Sequence, residues 1–151
     1  MTSLRLEEVT TDNVMDACRL KVRPEQEEYV APVVWSLAAA YAYGERAWPR
    51  VVYDGDELVG FIMGAFDPGN ENPSHRCGIW RLNVSADHQG RGYGKFAVLE
   101  LIAEARRRGQ KRVTVSWVPG EHSPEAFYLK LGFRPTGEIV HGEVEGELLL
   151  D

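Results

Sequence analysis

The sequence predicts a single α/β domain on a mixed sheet, and three observations carry that expectation. Short runs of β-branched and aromatic residues recur along the chain, stretches with helical spacing stand between them, and Gly- or Pro-containing turns punctuate both. The length of 151 residues is one domain's worth, and at that size folding buries roughly 70% of the surface of the unfolded chain without covalent staples. Cys18 and Cys77, far apart and outside any CxxC pattern, are therefore not a disulfide framework. The start MTSLRLEEVTT is charged and poor in apolar residues, which predicts no secretory leader and a reducing cytoplasm. The longest uncharged apolar stretch, 29–44, contains Pro32 and Ser36 and falls short of a membrane helix, so no membrane partner is expected.

The elements follow in order. Leu4, Leu6 and Val9 alternate with polar residues as in a strand, and Thr11, Asp12 and Asn13 are good N-cap types for a helix over 14–21, ended by Pro24. Residues 25–44 read as one or two further helices, with Pro32 at a turn or a break. Residues 50–53 and 57–66 flank Asp54-Gly55-Asp56 and read as an antiparallel hairpin. After a polar loop, 79–84 is a strand. Phe96, Leu99, Ile102 and Ala103 recur at helical spacing over 94–108, with Gly109 placed to stop the helix. Residues 112–118 form another strand, Ser123-Pro124 opens a short helix to Leu131, and 138–150 reads as a closing hairpin. The order is βααββ, βαβα, ββ, with a strand–helix–strand unit at its centre.

Charge is uneven. The net charge of −6 excludes a general nucleic-acid or anionic-lipid binder. Residues 1–75 hold six basic and thirteen acidic side chains, a balance of −7; residues 76–112 carry +6, and 113–151 carry −5. Such a chain offers separate places for an anion and a cation. His75, His88, His122 and His141 show no HxxxH or HExxH spacing and no nearby cysteine pair, so no metal site is expected.

The basic middle contains Gln89-Gly90-Arg91-Gly92-Tyr93-Gly94-Lys95, between a strand and a helix. Three glycines there permit a sharp turn and leave N–H groups open at a helix N-terminus, an anion site. A Walker loop is excluded because Gly90 to Gly94 is one residue short and Phe96 occupies the hydroxyl position. Gly92-Tyr93-Gly94-Lys95-Phe96-Ala97 satisfies G-x-G-x-x-A, yet the strand 113–118 ends without the acid a dinucleotide fold requires. Gln89, Gly92 and Gly94 also satisfy [QR]-x-x-G-x-[GA], and here the chain resembles the GCN5-related N-acetyltransferase family. Residues 79–109 look like that family's central strand and following helix, SPEAFYLKLGF at 123–133 looks like its Tyr-x-x-x-Gly-Phe segment, and Thr136-Gly137-Glu138 with the last hairpin also fits. Gln26 to Tyr29, Leu58-Val59-Gly60-Phe61, Arg81 and Gly142-Glu143 are similar to bacterial spermine and spermidine acetyltransferases.

The resemblance implies a mostly antiparallel sheet of six to seven strands flanked by about four helices, and acetyl-CoA as cofactor. It implies that the backbone of Gln89, Gly90, Arg91, Gly92, Tyr93, Gly94 and Lys95 receives the pyrophosphate, with Arg91 and Lys95 near phosphate oxygens. It also implies that Leu82, Asn83 and Val84 hold the pantetheine arm, with Ser123 and Lys130 also on the cofactor. Tyr128, four residues before Gly132, matches the family's leaving-group acid: a phenol with a pKa near 10 can protonate a thiolate whose own is about 8.5. The acceptor expected is a small cationic amine, polyamines first, held by Glu25, Glu28 and Tyr29, with Trp35, Tyr41 and Tyr43 following. The same acids read equally as an ordinary solvated helix start. Ile79-Trp80-Arg81 lacks the acid that polyamine enzymes of the family tend to carry, and Glu121 stands where an asparagine is frequent; Glu25, Glu28, Glu121 and His122 remain candidate bases. Other acceptors, among them amino acids, antibiotics and protein N-termini, stay open, as does a non-catalytic acyl-CoA sensor. A homodimer could bury Leu148-Leu149-Leu150, as could the chain's own sheet.

Overall fold

A computed structural model describes residues 3–151. The strands are β1 (Leu4–Glu8), β2 (Ala47–Asp54), β3 (Glu57–Phe66), β4 (Cys77–Val84), β5 (Arg112–Trp117), β6 (Arg134–Val140) and β7 (Glu143–Leu149). The α-helices are α1 (Val14–Arg19), α2 (Val33–Tyr43), α3 (Tyr93–Arg107) and α4 (Glu125–Lys130). All seven strands form one sheet in the order β1-β2-β3-β4-β5-β7-β6, antiparallel throughout except for β4 beside β5. The expected mixed, mostly antiparallel sheet with four helices is the observed architecture.

Each face of the sheet buries its own core. On one side Ala97, Val98, Leu101, Ile102 and Ala105 of α3 pack against Ile62, Phe66, Ile79 and Val113, and the cluster runs on to Trp117, Tyr128 and Phe133. On the other, Ala17 of α1 and Val33 of α2 cover Val51, Phe61 and Met63. Burying one such side chain contributes about 1.5–3 kcal/mol. The helices therefore stay where strand alternation puts apolar residues on both faces.

Several bounds shift by two or three residues, with β2 starting at Ala47, β4 at Cys77 and α1 ending at Arg19, and two spans differ in more than their bounds. Within 25–44, a single 3-10 turn (Pro24–Gln26) precedes α2, and residues 27–32 are irregular. Pro32, the N-cap of α2, has no N–H and biases Ala31 away from helix, so the helix begins immediately after it. β6 starts at Arg134 rather than near 138: Arg134 pairs with Glu147 and Pro135 with Gly146 before the ladder breaks and resumes at Ile139. Pro-Thr-Gly reads locally as a turn, and β7 imposes strand pairing on either side of it. Of the terminal leucines, Leu148 and Leu150 join the core and Leu149 is exposed. None of the described helices is long and apolar enough to cross a membrane.

The parallel contact is short. β4 and β5 pair only at Gly78 with Thr114 and Ile79 with Val115, although β4 runs on to Val84 and β5 to Trp117. At the same level β4 bulges: Met63 of β3 faces Arg81 and Gly64 faces Ile79, leaving Trp80 without a partner. A bulge bends its strand. The sheet consequently opens into a fork beyond Ile79 and Val115. Gly78 sets the closeness at its base, since an added Cβ would stand 2.7 Å from Thr114 Oγ1 and 2.8 Å from the Thr114 carbonyl oxygen. Gly78→Val is expected to destabilise the fold by about 1–3 kcal/mol through overpacking, read as a lower urea midpoint.

Candidate functional site

On the β4 arm of the fork, Leu82 and Val84 pack their side chains into the α3-side core. Asn83 faces the other way, 3% exposed, and its Nδ2 donates to the Ala31 carbonyl at 3.0 Å while its Oδ1 is buried without a partner. Beyond Ile79 the edge of β4 facing β5 has no strand beside it. Such an edge presents unpaired N–H and C=O groups.

β4 leads into the glycine turn. Gly90 (φ 79°) and Gly92 (φ 84°) both adopt left-handed backbone, which only glycine takes without strain, and Gly92 caps α3. The first bond across the cap runs from the Phe96 N–H to the Gly92 carbonyl, so the N–H groups of Tyr93, Gly94 and Lys95 have no intrahelical acceptor. The positive end of a 15-residue helix and a row of free donors thus stand at the same point. Arg91 and Lys95 are exposed beside it. The Tyr93 side chain turns inward and donates its hydroxyl to Asp54 Oδ2 at the end of β2, 2.5 Å away. That bond, with the Ser3 N–H, holds the Asp54 carboxyl below the ordinary carboxylate range. Tyr93 thereby fastens the turn to the β2–β3 hairpin.

Gln89 makes a second fastening. Its Nε2 donates to the Val84 carbonyl at 3.0 Å and to Gln26 Oε1 at 2.6 Å, and Gln26 Nε2 donates back to Gln89 Oε1 at 2.9 Å. The 21–31 segment is stitched to β4 and its following turn here, at the Lys21 carbonyl (from Ala86 N–H, 2.7 Å) and at Ala31. On the far side the Tyr29 hydroxyl accepts from the His122 N–H at 3.4 Å, in the loop after β5. The segment therefore spans the fork from one arm to the other. Tyr29 belongs to that strap, whereas Glu25 and Glu28 are exposed on it.

The β5 arm ends at Trp117, whose ring stacks on Tyr128 of α4 with centroids 5.7 Å apart; Phe127 and Phe133 meet the same tyrosine edge-on. Burial pushes the Tyr128 phenol pKa up, so it stays protonated at neutral pH. Ser123 Oγ accepts the Glu125 N–H at 3.3 Å at the start of α4, and Lys130 is exposed at its end.

A cavity of about 430 Å³ opens at the fork on the α1/α2 side. Gly78, Ile79 and Trp80 form one wall and Thr114, Val115 and Ser116 the other. Tyr43, edge-on to Trp80 at 5.0 Å, closes one end with Arg46; His75, His141, Glu143 and Glu145 surround the rest. Of the aromatics named from the sequence, Tyr43 lines this cavity, and Trp35 and Tyr41 point to solvent at 69% and 93% exposure. Glu25, Glu28, Glu121 and His122 do not line it.

The sequence reading missed Arg46, His75, His141, Glu143 and Glu145 as lining residues. One signal was present: Glu143, Glu145 and Glu147 alternate, as do Arg112, Thr114 and Ser116, and a period of two places each set on one strand face. Glu145 is buried and occupied, accepting from Arg112, Ser74 and Thr136. His141 holds φ 51° in the two-residue turn His141-Gly142, a conformation uncommon outside glycine and asparagine.

Comparison with known proteins bears on these features. A family model described as acetyltransferase (GNAT) family matches residues 13–133. An L-2,4-diaminobutyric acid acetyltransferase from Shouchella clausii is 31% identical over 81 residues, covering 54% of this chain and 44% of that protein. The chain spans about half, or somewhat less, of the length of the curated relatives it matches. An acetyltransferase from Thermus thermophilus shares the fold with a TM-score of 0.76 at 20% identity, over 98% of this chain and 97% of that one. A Bacillus subtilis acetyltransferase crystallised in complex with CoA has a TM-score of 0.69 at 21% identity over 100% of both chains. The family match runs from the N-cap of α1 to the phenylalanine after α4 and contains the fork, the glycine-capped helix and the stacked tyrosine, so the chain belongs to the acetyltransferase (GNAT) family.

Proposed function

We propose that this chain is an acetyl-CoA-dependent N-acetyltransferase that acts on the primary amine of a small acceptor by direct attack within a ternary complex. The fork carries the reading: an unpaired strand edge leads straight into a glycine-capped helix N-terminus, while a cavity enters from the opposite side. A linear ligand with amide groups at one end and phosphates further along suits that sequence of partners. Acetyl-CoA, when bound, supplies an acetyl group activated as a thioester. The β4 backbone at Leu82, Asn83 and Val84 would hold the pantetheine arm as an added strand, and N–H groups from Gln89 to Lys95 would receive the pyrophosphate. Arg91 and Lys95 add positive charge there, with Ser123 and Lys130 on the α4 side.

In the transfer, the acceptor nitrogen forms a bond to the carbonyl carbon and the carbon–sulfur bond breaks. A fixed β4 N–H meets the charge that develops on the carbonyl oxygen. Tyr128 gives its phenolic proton to the departing sulfur, and the proton displaced from nitrogen passes to solvent or a base. Cationic amines suit the acidic front segment. Polyamines are supported by the narrower resemblance around Gln26 to Tyr29, and the missing acid at Ile79-Trp80-Arg81 weighs against them. The diaminobutyrate enzyme among the relatives points instead to a diamino acid.

The test is thiol release from acetyl-CoA by the purified chain, with product masses recorded, across spermidine, spermine, short diamines, amino acids, aminoglycosides and a lysine peptide. Saturable release with a singly acetylated product is expected. Tight acetyl-CoA binding by calorimetry without turnover on any amine would favour a sensor; no binding would refute the cofactor reading itself.

A further inference from the structure

The charges around the fork cavity go beyond a preference for cations. Each charged wall group is either committed to the fold or free. Glu145 is committed to Arg112, Ser74 and Thr136, and Asp67 accepts from Asn70 at 3.0 Å. Glu143 holds only the Ser116 hydroxyl, at 3.0 Å, and among the described residues no Lys, Arg or His nitrogen lies within 4.0 Å of it. Arg46 lies over the Tyr43 ring at 5.0 Å, with Nε 3.4 Å from the Tyr43 carbonyl oxygen, and it too has no carboxylate within that reach among the described residues. One cavity thus carries a carboxylate and a guanidinium, neither in a salt bridge among the described residues.

Resting on the acetyltransferase reading, we propose that the acceptor is a zwitterion: an amino acid with a second amine, its carboxylate toward Arg46 and an amino group toward Glu143. A polycation would satisfy Glu143 and be repelled by Arg46, and a simple anion the reverse; a molecule bearing both charges satisfies the two together. Arg81, one residue past the bulge and outside the cavity lining, feels the charge of Glu143 without a salt bridge to it, and its Nε is buried and unpaired. A volume near 430 Å³ lies at the small end for ligand sites. Ile79, Trp80, Val115 and Ser116 on its walls open it to the point where the strands part, which is where the reactive carbonyl must lie for the amine to reach it.

Matched pairs isolate the carboxylate. We would measure acetylation of 2,4-diaminobutyrate against 1,3-diaminopropane, ornithine against putrescine, and lysine against cadaverine, each pair differing by one carboxyl group. In the best pair kcat/KM is expected to favour the amino acid by at least about tenfold, as for one charge-assisted contact. Arg46→Ala, a change at an exposed position that should not endanger folding, is expected to collapse that ratio toward one by raising KM for the amino acid. Diamines used as well as or better than amino acids in all three pairs would overturn the proposal, as would an Arg46→Ala variant that keeps the ratio. Transfer to none of the six also overturns it; acetyl-CoA binding by calorimetry and transfer to other amines then tell whether the acetyltransferase reading falls with it.

Discussion

Tyr128→Phe is expected to lower kcat for acetyl transfer by about 10²-fold or more, the usual contribution of a positioned general acid, with folding intact. The variant deletes one oxygen and keeps the ring, which supplies the stack on Trp117 and the edge contacts with Phe127 and Phe133. Loss of the hydroxyl alone leaves these ring contacts in place. Burial raises the folded phenol's pKa above its unfolded value of about 10, and a group raised in this way contributes stability that is present below the unfolded pKa and lost only as pH climbs through the folded one. The wild-type rate profile should accordingly show no alkaline limb from Tyr128 below about pH 10. Steady-state thiol release with both proteins, alongside acetyl-CoA affinity, checks this. A loss of less than threefold would remove Tyr128 from the proton transfer and leave it a packing residue.

Trp117→Ala is expected to cost about 3–5 kcal/mol, a large part of the roughly 5–15 kcal/mol that holds a domain folded. The indole is 2% exposed, lies flat on Tyr128, and covers Gly146 so closely that a Cβ there would meet its ring carbons at 2.7 and 2.8 Å. Its Nε1 donates to Glu125 Oε2 at 3.0 Å, tying the end of β5 to the first turn of α4. Truncation leaves a cavity between the sheet and α4 and frees the helix that carries Tyr128. The melting temperature should fall by roughly 6–20 °C, at about 2–4 °C per kcal/mol for a chain of this size. Trp117→Phe should recover more than half of that loss. A drop of only a degree or two for the alanine variant would mean that α4 is held from elsewhere.

These two residues also mark what could be read before folding. The spacing that singles out Tyr128 was legible because it is local, four residues ahead of Gly132 on a short helix. Trp117 was legible as the apolar end of a strand, but its stacking on Tyr128 joins elements whose approach no local spacing encodes.

The order of strands and helices, the two-faced apolar alternation and the glycine turn before α3 were all determined by the sequence itself. Each depends on residues within one or two turns of one another: alternation sets a strand's faces, and glycines at 90 and 92 permit left-handed backbone whatever lies around them. The fork was decided only by the tertiary structure. Nothing between residues 77 and 84 announces that pairing with β5 ends after Ile79, because that depends on a bulge against β3 and on two strands separated by all of α3. The acceptor side shows the same division. Glu25 and Glu28 stood out as clustered acids, yet they are exposed and do not line the cavity, whereas Arg46 and Glu143, nearly a hundred positions apart, do. A strand's face can be read from period two, but which distant face meets it is settled only by packing, since the free energy that brings them together belongs to the whole core rather than to any segment.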